Sequence, residues 1–242
     1  MKRFNLEEDN KALARKSAIE RVAYGIEKFG QGAVLLSSMQ KTASVLMHLF
    51  HELGSDNDIV FVDTGFHFHE TLSLRDEFMR KYKLNIMTLY PEMTPEQQET
   101  EFSCKLYKTK SGQPICCDLR KAQPFIRYMN KQGKQLAFGG LRRKEGKARA
   151  NLGILSADPR FVGYRLNPIL DWTEDMVDEY IMERDIPRHP LHSEGYLSVG
   201  CQCCTTPVEL GENARAGRWR HLRDGGEGPI YCDLNFSDGS GI

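Results

Sequence analysis

Short apolar runs alternate with amphipathic stretches along most of the chain, and this alternation constrains the fold more than any other feature. The runs cover residues 33–36, 59–62, 85–89 and 135–138, and helical stretches lie between them. A chain that alternates strand and helix in this way builds a mostly parallel sheet between two helical layers. The sequence therefore predicts a three-layer α/β fold, and residues 165–168 predict a fifth strand.

Helices are predicted at about residues 11–29, 42–53, 69–82 and 171–184. The last of these opens on Asp171-Trp172-Thr173-Glu174, which carries a capping signature. From Gly211 onward the chain is rich in glycine and charge. We expect one catalytic domain over residues 1–209 and a mobile C-terminal tail over residues 210–242.

Composition limits the classes of protein to consider. The 242 residues are 40% hydrophobic, enough for one sizeable core, and 33 basic residues balance 33 acidic ones. A net charge of zero argues against a nucleic-acid partner. No apolar run approaches the roughly 20 residues that cross a bilayer, and the N-terminus lacks the apolar segment of a secretory signal. We expect a cytoplasmic protein with no membrane partner.

Seven cysteines are many for a reducing compartment, where disulfides are rare. Six of them fall in three places: Cys116-Cys117, Cys201-Gln202-Cys203-Cys204 and Cys232. Thiolates suit iron–sulfur clusters or zinc, and the adjacent pair favours a cluster, because zinc ribbons use two spaced hooks. The alternatives are buried apolar cysteines or a transient disulfide, and Cys104 is expected to be structural.

Two loops that follow predicted strands carry polar residues. Ser37, Ser38 and Lys41 lie between the first strand and its helix, where hydroxyls, backbone N–H groups and a cation could hold an anion. The run Asp63-Thr64-Gly65 follows the second strand, where a carboxylate could accept from a ribose hydroxyl. The simpler interpretation makes the serines a helix cap and Asp63 a turn former.

Several ordered motifs extend this pattern over residues 32–232. They are Cys116-Cys117-Asp118-Leu119-Arg120-Lys121, Gly140-Leu141-Arg142-Arg143, Asn167-Pro168-Ile169-Leu170-Asp171-Trp172-Thr173, the stretch from Pro190 to Cys201, and Arg215-Ala216-Gly217-Arg218-Trp219. With these motifs the chain resembles the assimilatory adenylyl-sulfate (APS) and phosphoadenylyl-sulfate (PAPS) reductases. The resemblance implies a fold of the adenine nucleotide alpha hydrolase type.

The resemblance also implies a cofactor. In this family a Cys-Cys pair with a Cys-x-x-Cys hook binds a [4Fe–4S] cluster and generally marks enzymes that use APS. The corresponding ligands here are Cys116, Cys117, Cys201 and Cys204. Cys203 departs from the family pattern, because it adds a thiol inside the hook.

Carried over by position, the resemblance assigns nucleotide binding to Ser37, Ser38, Lys41, Asp63, Thr64 and Gly65, and phosphosulfate binding to Lys121, Arg142, Arg143, Arg215 and Arg218. Guanidinium groups bind such oxyanions in bidentate fashion. Cys232 is the implied nucleophile: it attacks the sulfur of APS, expels AMP and keeps the sulfonate. Thioredoxin or a glutaredoxin-like dithiol then releases sulfite. The oligomeric state is left open, with a homo-oligomer among the options.

The tail departs from the family signature Glu-Cys-Gly-(Leu/Ile)-His. Here the nucleophile lies in Tyr231-Cys232-Asp233-Leu234-Asn235, and the adjacent carboxylate should raise the pKa of the thiol. Two alternatives therefore stay open: a PAPS-reducing or dual-specificity enzyme, and a non-catalytic, cluster-bearing sensor of nucleotide or redox state. An ATP pyrophosphatase is unlike this chain, because the first loop lacks a Ser-Gly-Gly-x-Asp-Ser signature.

Overall fold

The protein, described by a computed structural model over residues 5–145 and 149–223, is built on a six-stranded sheet. The strands are β1 (Ala33–Ser37), β2 (Asp58–Val62), β3 (Ile86–Leu89), β4 (Leu136–Phe138), β5 (Leu155–Asp158) and β6 (Gly163–Leu166), in the order β3-β2-β1-β4-β6-β5. Neighbouring strands run parallel, apart from β5 and β6. The mostly parallel sheet predicted from the sequence is confirmed.

Helices cover this sheet. They are α1 (Leu6–Leu13), α2 (Ala18–Phe29), α3 (Lys41–Glu52), α4 (His69–Tyr82), α5 (Pro95–Phe102), α6 (Gly112–Cys117), α7 (Gln123–Lys131) and α8 (Glu174–Glu183), and a π-helical segment, Asp118–Ala122, joins α6 to α7. Over the described ranges, none of these helices combines the length and the apolar character that a membrane span requires.

Two apolar cores lie on opposite faces of the sheet, because successive strand residues point to opposite sides. Leu35 and Phe61 face the larger core, which contains residues of α2, α3, α4 and α8. Val34 and Val60 face the smaller core, which α7 covers with Phe125 and neighbouring residues. The helical layers on both faces are thus confirmed.

The single N-terminal helix predicted over residues 11–29 is wrong. The chain forms α1 and α2 with a break between them, because Ser17 starts a new helix. The Ser17 hydroxyl accepts from the backbone N–H of Glu20, and the Glu20 carboxylate accepts from the backbone N–H of Ser17 at 2.7 Å. Such a reciprocal cap stabilises a helix start by about 1 kcal/mol.

Strand β5 was not predicted from the sequence, because its polar residues hide the strand pattern. It forms an antiparallel edge beside β6 and ends at Asp158. The Asp158 side chain is fully buried and lies 2.6 Å from Arg160 and 3.0 Å from Arg165. The strand is therefore fixed by buried charge as well as by apolar contacts. The helix expected from Asp171 begins later, at Glu174, because the Thr173 hydroxyl accepts from the backbone N–H of Met176 and caps it there. Asp171 lies before the helix and pairs with Arg21 at 2.6 Å.

The described part of the predicted tail packs against the domain. Arg218 and Trp219 are buried, and residues 205 and 218 pair as a short antiparallel bridge. The boundary at residues 209 and 210 stays a prediction, and residues 224–242 lie outside the described range.

Candidate active site

The sheet order reverses at the centre, between β1 and β4. Strands β2 and β3 lie on one side of β1, and β4, β6 and β5 lie on the other. Ligands of open α/β sheets bind outside the carboxyl ends of the strands at such a point. The loops after β1, β2 and β4 occupy this position, and they hold most of the residues predicted to bind substrate.

The loop after β1 combines buried and exposed polar groups. Ser37 is buried, and its hydroxyl accepts from the backbone N–H of Met39 at 3.3 Å, whereas Ser38 is exposed. The Gln40 side chain accepts from the backbone N–H of Val199 at 3.0 Å. This contact ties the loop to the segment that leads into the second group of cysteines.

Lys41 and Arg142, both predicted to bind substrate anions, are paired with carboxylates. Lys41 lies 3.0 Å from Glu174 and 2.9 Å from Asp178. Arg142 lies 3.1 Å from Glu145 and forms a second ion pair with Glu174. Burial acts to lower the pKa of Lys41, but the hydrogen bonds to these carboxylates outweigh it and raise the pKa. Glu174 thus joins the loop after β1 to the loop after β4.

Arg143 anchors the loop that follows β4. Its Nη2 donates to the carbonyl of Leu152 at 3.2 Å, and its backbone N–H donates to the carbonyl of Leu170 at 2.9 Å. Gly140, three residues earlier, packs against the start of α3, where a Cβ atom would lie only 2.6 Å from Thr42 Oγ1. Only glycine allows the two loops to approach this closely.

The loop after β2 forms a tight turn beside the cysteines. The Asp63 carboxylate accepts from the backbone N–H of Gly65 at 2.9 Å, and Gly65 has a positive φ of 72°. Thr64 is buried, and its Oγ1 lies 3.4 Å from Cys201 Sγ. A predicted nucleotide loop and a predicted cluster ligand are therefore in direct contact.

Five thiols line one cavity, whose empty volume is about 300 Å³ including the part open to solvent. They belong to Cys116, Cys117, Cys201, Cys203 and Cys204. Phe66, Tyr107 and Trp219 also line this cavity. Within the described ranges, no three His, Cys, Asp or Glu side chains are grouped so that they could hold one metal ion.

Polar side chains approach the thiols from the cavity wall. Gln98 Nε2 lies 3.6 Å from Cys116 Sγ, and Gln113 Nε2 lies 3.1 Å from Cys117 Sγ. Burial raises the pKa of Cys116. The protonated thiol is thus favoured.

Arg120 is a buried cation that joins the cavity wall to the loop after β2. Its Nε donates to the carbonyl of Thr64 at 2.5 Å, and its Nη1 donates at 3.2 Å to the carbonyl of Met93 and to Gln98 Oε1. Its guanidinium lies over the Phe66 ring, 5.0 Å from the centroid. Burial lowers the pKa of Arg120, although an arginine remains charged at neutral pH. Lys121 is also buried and lines the cavity.

The C-terminal motif closes the cavity from another side. The backbone N–H of Trp219 donates to the carbonyl of Cys204 at 2.8 Å, and the guanidinium of Arg218 stacks 4.5 Å from the indole centroid. Arg218 Nη1 also donates to the carbonyl of Val199 at 3.2 Å, and Arg215 lies 5.7 Å from the same indole ring. Arg218 Nε and Trp219 Nε1 are buried and have no hydrogen-bond partner among the described residues.

Two histidines, the half-buried His67 and the buried His189, make structural contacts. Burial lowers the pKa of His67 to about 4, and its Nε2 lies 3.0 Å from the carbonyl of Val62. Burial likewise lowers the pKa of His189 to about 4, and its Nε2 lies 2.9 Å from Thr71 Oγ1. Both rings are neutral at pH 7 and fix the chain around them.

Sequence reasoning did not select Arg120, Gln98 or Gln113 as functional residues. The position of Arg120 in the Cys-Cys-Asp-Leu-Arg-Lys motif was a usable signal, but only Lys121 was chosen from it. No local pattern identifies Gln98, because its partner Cys116 lies 18 residues later in the chain. Gln113 lies only four residues before its partner Cys117 on the same helix, and this spacing was also a usable signal. The predicted nucleophile, Cys232, lies outside the described residues.

Known proteins resemble this chain in sequence and in fold. The family model described as phosphoadenosine phosphosulfate reductase domain matches residues 32–207. Proteins named adenosine 5'-phosphosulfate reductase from Halalkalibacterium halodurans and Staphylococcus haemolyticus are 33% and 36% identical, over 89% and 93% of this chain and 92% and 89% of their own lengths. A crystal structure of phosphoadenylyl-sulfate (PAPS) reductase from Candida auris shares the fold, with a TM-score of 0.73 and 21% identity over 85% of this chain and 98% of that one. The chain therefore belongs to the phosphoadenosine phosphosulfate reductase domain family.

Proposed function

We propose that this protein is an assimilatory APS reductase, which reduces adenylyl sulfate to sulfite and AMP with electrons from a thioredoxin-type dithiol. Relatives that carry the name of this activity match nearly the whole chain at 33–36% identity. The observation that carries the proposal is the contact between Thr64 of the loop after β2 and Cys201 of the thiol cavity, at 3.4 Å. This contact supports a single site that combines the proposed nucleotide loop with the thiol cavity.

The residues of the cavity fit a [4Fe–4S] cluster. Its walls supply thiol sulfurs together with amide N–H donors, and Trp219 adds a buried indole N–H that has no partner among the described residues. In a cube each thiolate binds a different iron, so the thiols need not converge on one ion. We propose Cys116, Cys117, Cys201 and Cys204 as the ligands. When bound, the cluster would supply a rigid, charged core beside the substrate.

The chain's own cations would hold the phosphosulfate. Arg120, Lys121 and Arg218 are buried at or beside the cavity, and buried cations attract an anion more strongly than exposed ones. Lys41 and Arg142 lie on the far side of the crevice and would bind substrate in competition with Glu174. The side chain of Gln40 and the backbone of Val199 connect the two sides.

Cys232 would supply the nucleophile. It follows Arg223, the last described residue, by nine positions, and a fully extended chain of nine residues spans about 30 Å. Its thiolate attacks the sulfur of APS, the sulfur–oxygen bond to AMP breaks, and AMP leaves. A dithiol then attacks the Cys232 sulfur and releases sulfite, and its second thiol resolves the mixed disulfide, so that the dithiol loses two electrons.

Cations near the site would favour the thiolate form of Cys232. The adjacent Asp233 acts to raise the pKa of the Cys232 thiol, whereas a nearby guanidinium acts to lower it. The thiolate would therefore form mainly when the tail approaches Arg218 and its neighbours, where the substrate lies.

Labelling tests the proposal directly. The purified protein is incubated anaerobically with ³⁵S-labelled APS or PAPS without reductant, and the labelled peptide is identified by mass spectrometry. We expect label from APS on Cys232, released as sulfite when reduced thioredoxin is added. The Cys232→Ser variant should take up no label, and the matched control Cys104→Ser, at an exposed cysteine, should label normally.

Three outcomes would contradict the proposal. Label on another residue would exclude Cys232 as the nucleophile. Label from PAPS in preference to APS would change the substrate. An absence of label with either nucleotide would favour the non-catalytic sensor.

A further inference from the structure

The hook, residues 201–204, supplies three of the five thiols in the cavity, one more than a four-thiolate cluster requires. Cys203 and Cys204 are adjacent in the chain, and their Sγ atoms lie 3.7 Å apart. Both line the cavity together with Cys116, Cys117 and Cys201. The fifth sulfur therefore has a position beside a predicted ligand, not on the outer surface.

Local backbone structure explains how two neighbours reach the same cavity. Residues Gln202–Cys204 form a 3₁₀ turn. Successive side chains of such a turn are rotated by about 120°, whereas those of a strand point to opposite sides. Cys203 can thus point along the cavity wall while Cys204 points inward, and Cys203 is the more exposed of the two.

The backbone distinguishes the two thiols. The N–H of Cys204 donates to the carbonyl of Cys201 at 2.9 Å, and the carbonyl of Cys204 accepts from the N–H of Trp219 at 2.8 Å. These bonds fix Cys204 on both sides and make it the favoured ligand. A disulfide between the two neighbours is disfavoured, since adjacent Cα atoms are about 3.8 Å apart and disulfides usually need 4.4–6.8 Å.

We propose that Cys203 is a reserve ligand, which binds the iron of the cluster when Cys204 is lost or chemically modified. On binding, the Cys203 thiol releases its proton to solvent, and the charge and number of thiolates around the metal stay the same. This inference rests on the cluster proposed above. It assigns a function to the one residue of the hook that departs from the family pattern.

The test measures iron, not activity. The chain and its variants are purified anaerobically, and iron content and visible absorbance are measured. Each sample is then alkylated with iodoacetamide without unfolding, and the modified cysteines are identified by mass spectrometry. A metal-bound thiolate is protected, whereas an unbound accessible thiol is alkylated.

We expect the unsubstituted protein to hold iron, with Cys204 protected and Cys203 alkylated. Cys204→Ser should keep most of the iron and absorbance, and Cys203 should become protected. Cys117→Ser and the double variant Cys203→Ser/Cys204→Ser should lose both signals. Cys104→Ser, outside the hook, serves as the control and should match the unsubstituted protein.

A second variant distinguishes the loss of a ligand from a failure to fold. Serine places a hydroxyl at a position that is only 6% exposed, so Cys204→Ala is measured in parallel, with circular dichroism as the check. Loss of iron from both folded Cys204 variants, to the level of Cys117→Ser, would overturn the reserve role. Protection of Cys203 in the unsubstituted protein would overturn it too, because Cys203 would then be a primary ligand. A protein without iron before any substitution would instead overturn the cluster itself, and the reserve role with it.

Discussion

Arg120 offers a sharp test of how the site is held together. Its guanidinium makes one short hydrogen bond, 2.5 Å to the carbonyl of Thr64, and two of 3.2 Å, to the carbonyl of Met93 and to Gln98. Arg120→Met keeps much of the packing over Phe66 but removes all three bonds. The loop after β2 would then lose its link to the cavity wall.

The expected loss of unfolding free energy follows from these three hydrogen bonds. Hydrogen bonds from charged donors contribute about 1.5–3 kcal/mol each, and the two longer bonds should lie at or below the lower end. Methionine also removes the cost of burying a charge, which offsets part of the loss. We expect a net loss of about 2–4 kcal/mol in the free energy of unfolding, from a typical total of about 5–15 kcal/mol. The variant should therefore fold.

Urea unfolding of the metal-free protein, followed by circular dichroism, measures this loss without a contribution from metal. With a slope near 2–3 kcal/mol per molar urea, the midpoint should fall by about 1 M. Arg127→Met, at a more exposed arginine that lies 3.4 Å from Glu92, is the control and should change the free energy by less than about 0.5 kcal/mol. Equal urea midpoints for the two variants would refute the role assigned to Arg120. The affinity for AMP should also fall in Arg120→Met and stay unchanged in Arg127→Met.

Two further predictions concern charge. Glu174→Gln removes the carboxylate paired with both Lys41 and Arg142, so calorimetry should show AMP binding tightened by about tenfold, or 1.4 kcal/mol. Glu179→Gln, at an exposed position of the same helix, is the control. Equal AMP affinities in the two variants would show that Lys41 and Arg142 do not face the nucleotide. Burial acts to raise the pKa of Asp158, but its two arginine partners outweigh it, so the folded-state pKa lies below the ordinary value of an aspartate. Asp158 therefore stabilises the fold at pH values above about 4 and progressively less as the pH falls below that value. Asp158→Asn should flatten the dependence of the unfolding free energy on pH between 5 and 3. An unchanged pH dependence would contradict this assignment.

Local sequence patterns identify some elements of this fold and miss others. Strands β1 and β2 and helix α4 were predictable, because buried parallel strands are continuous apolar runs and their flanking helices are amphipathic. Strand β5 was not, since its stability depends on buried charge supplied by residues that follow it. The fold class could thus be derived from hydrophobic pattern alone.

The candidate site was predictable only in part. Residue type and motif selected the cysteines, because few other residues bind soft metals. The same reasoning selected Lys41 as a substrate ligand but could not show that Glu174, 133 residues later, pairs with it. Arg120 was missed for the related reason that two of its three partners are backbone carbonyls, which carry no sequence signal, and the third, Gln98, is 22 residues away.

The cavity walls come from segments that are far apart in the chain, and this has a consequence for biosynthesis. Cys116 leaves the ribosome well before Cys201, and Trp219, which bonds to Cys204, follows later still. Strand β4, a central strand of the sheet, also emerges after the first cysteines. The early thiols must therefore wait for their final neighbours, and the cavity is complete only after translation has passed residue 219.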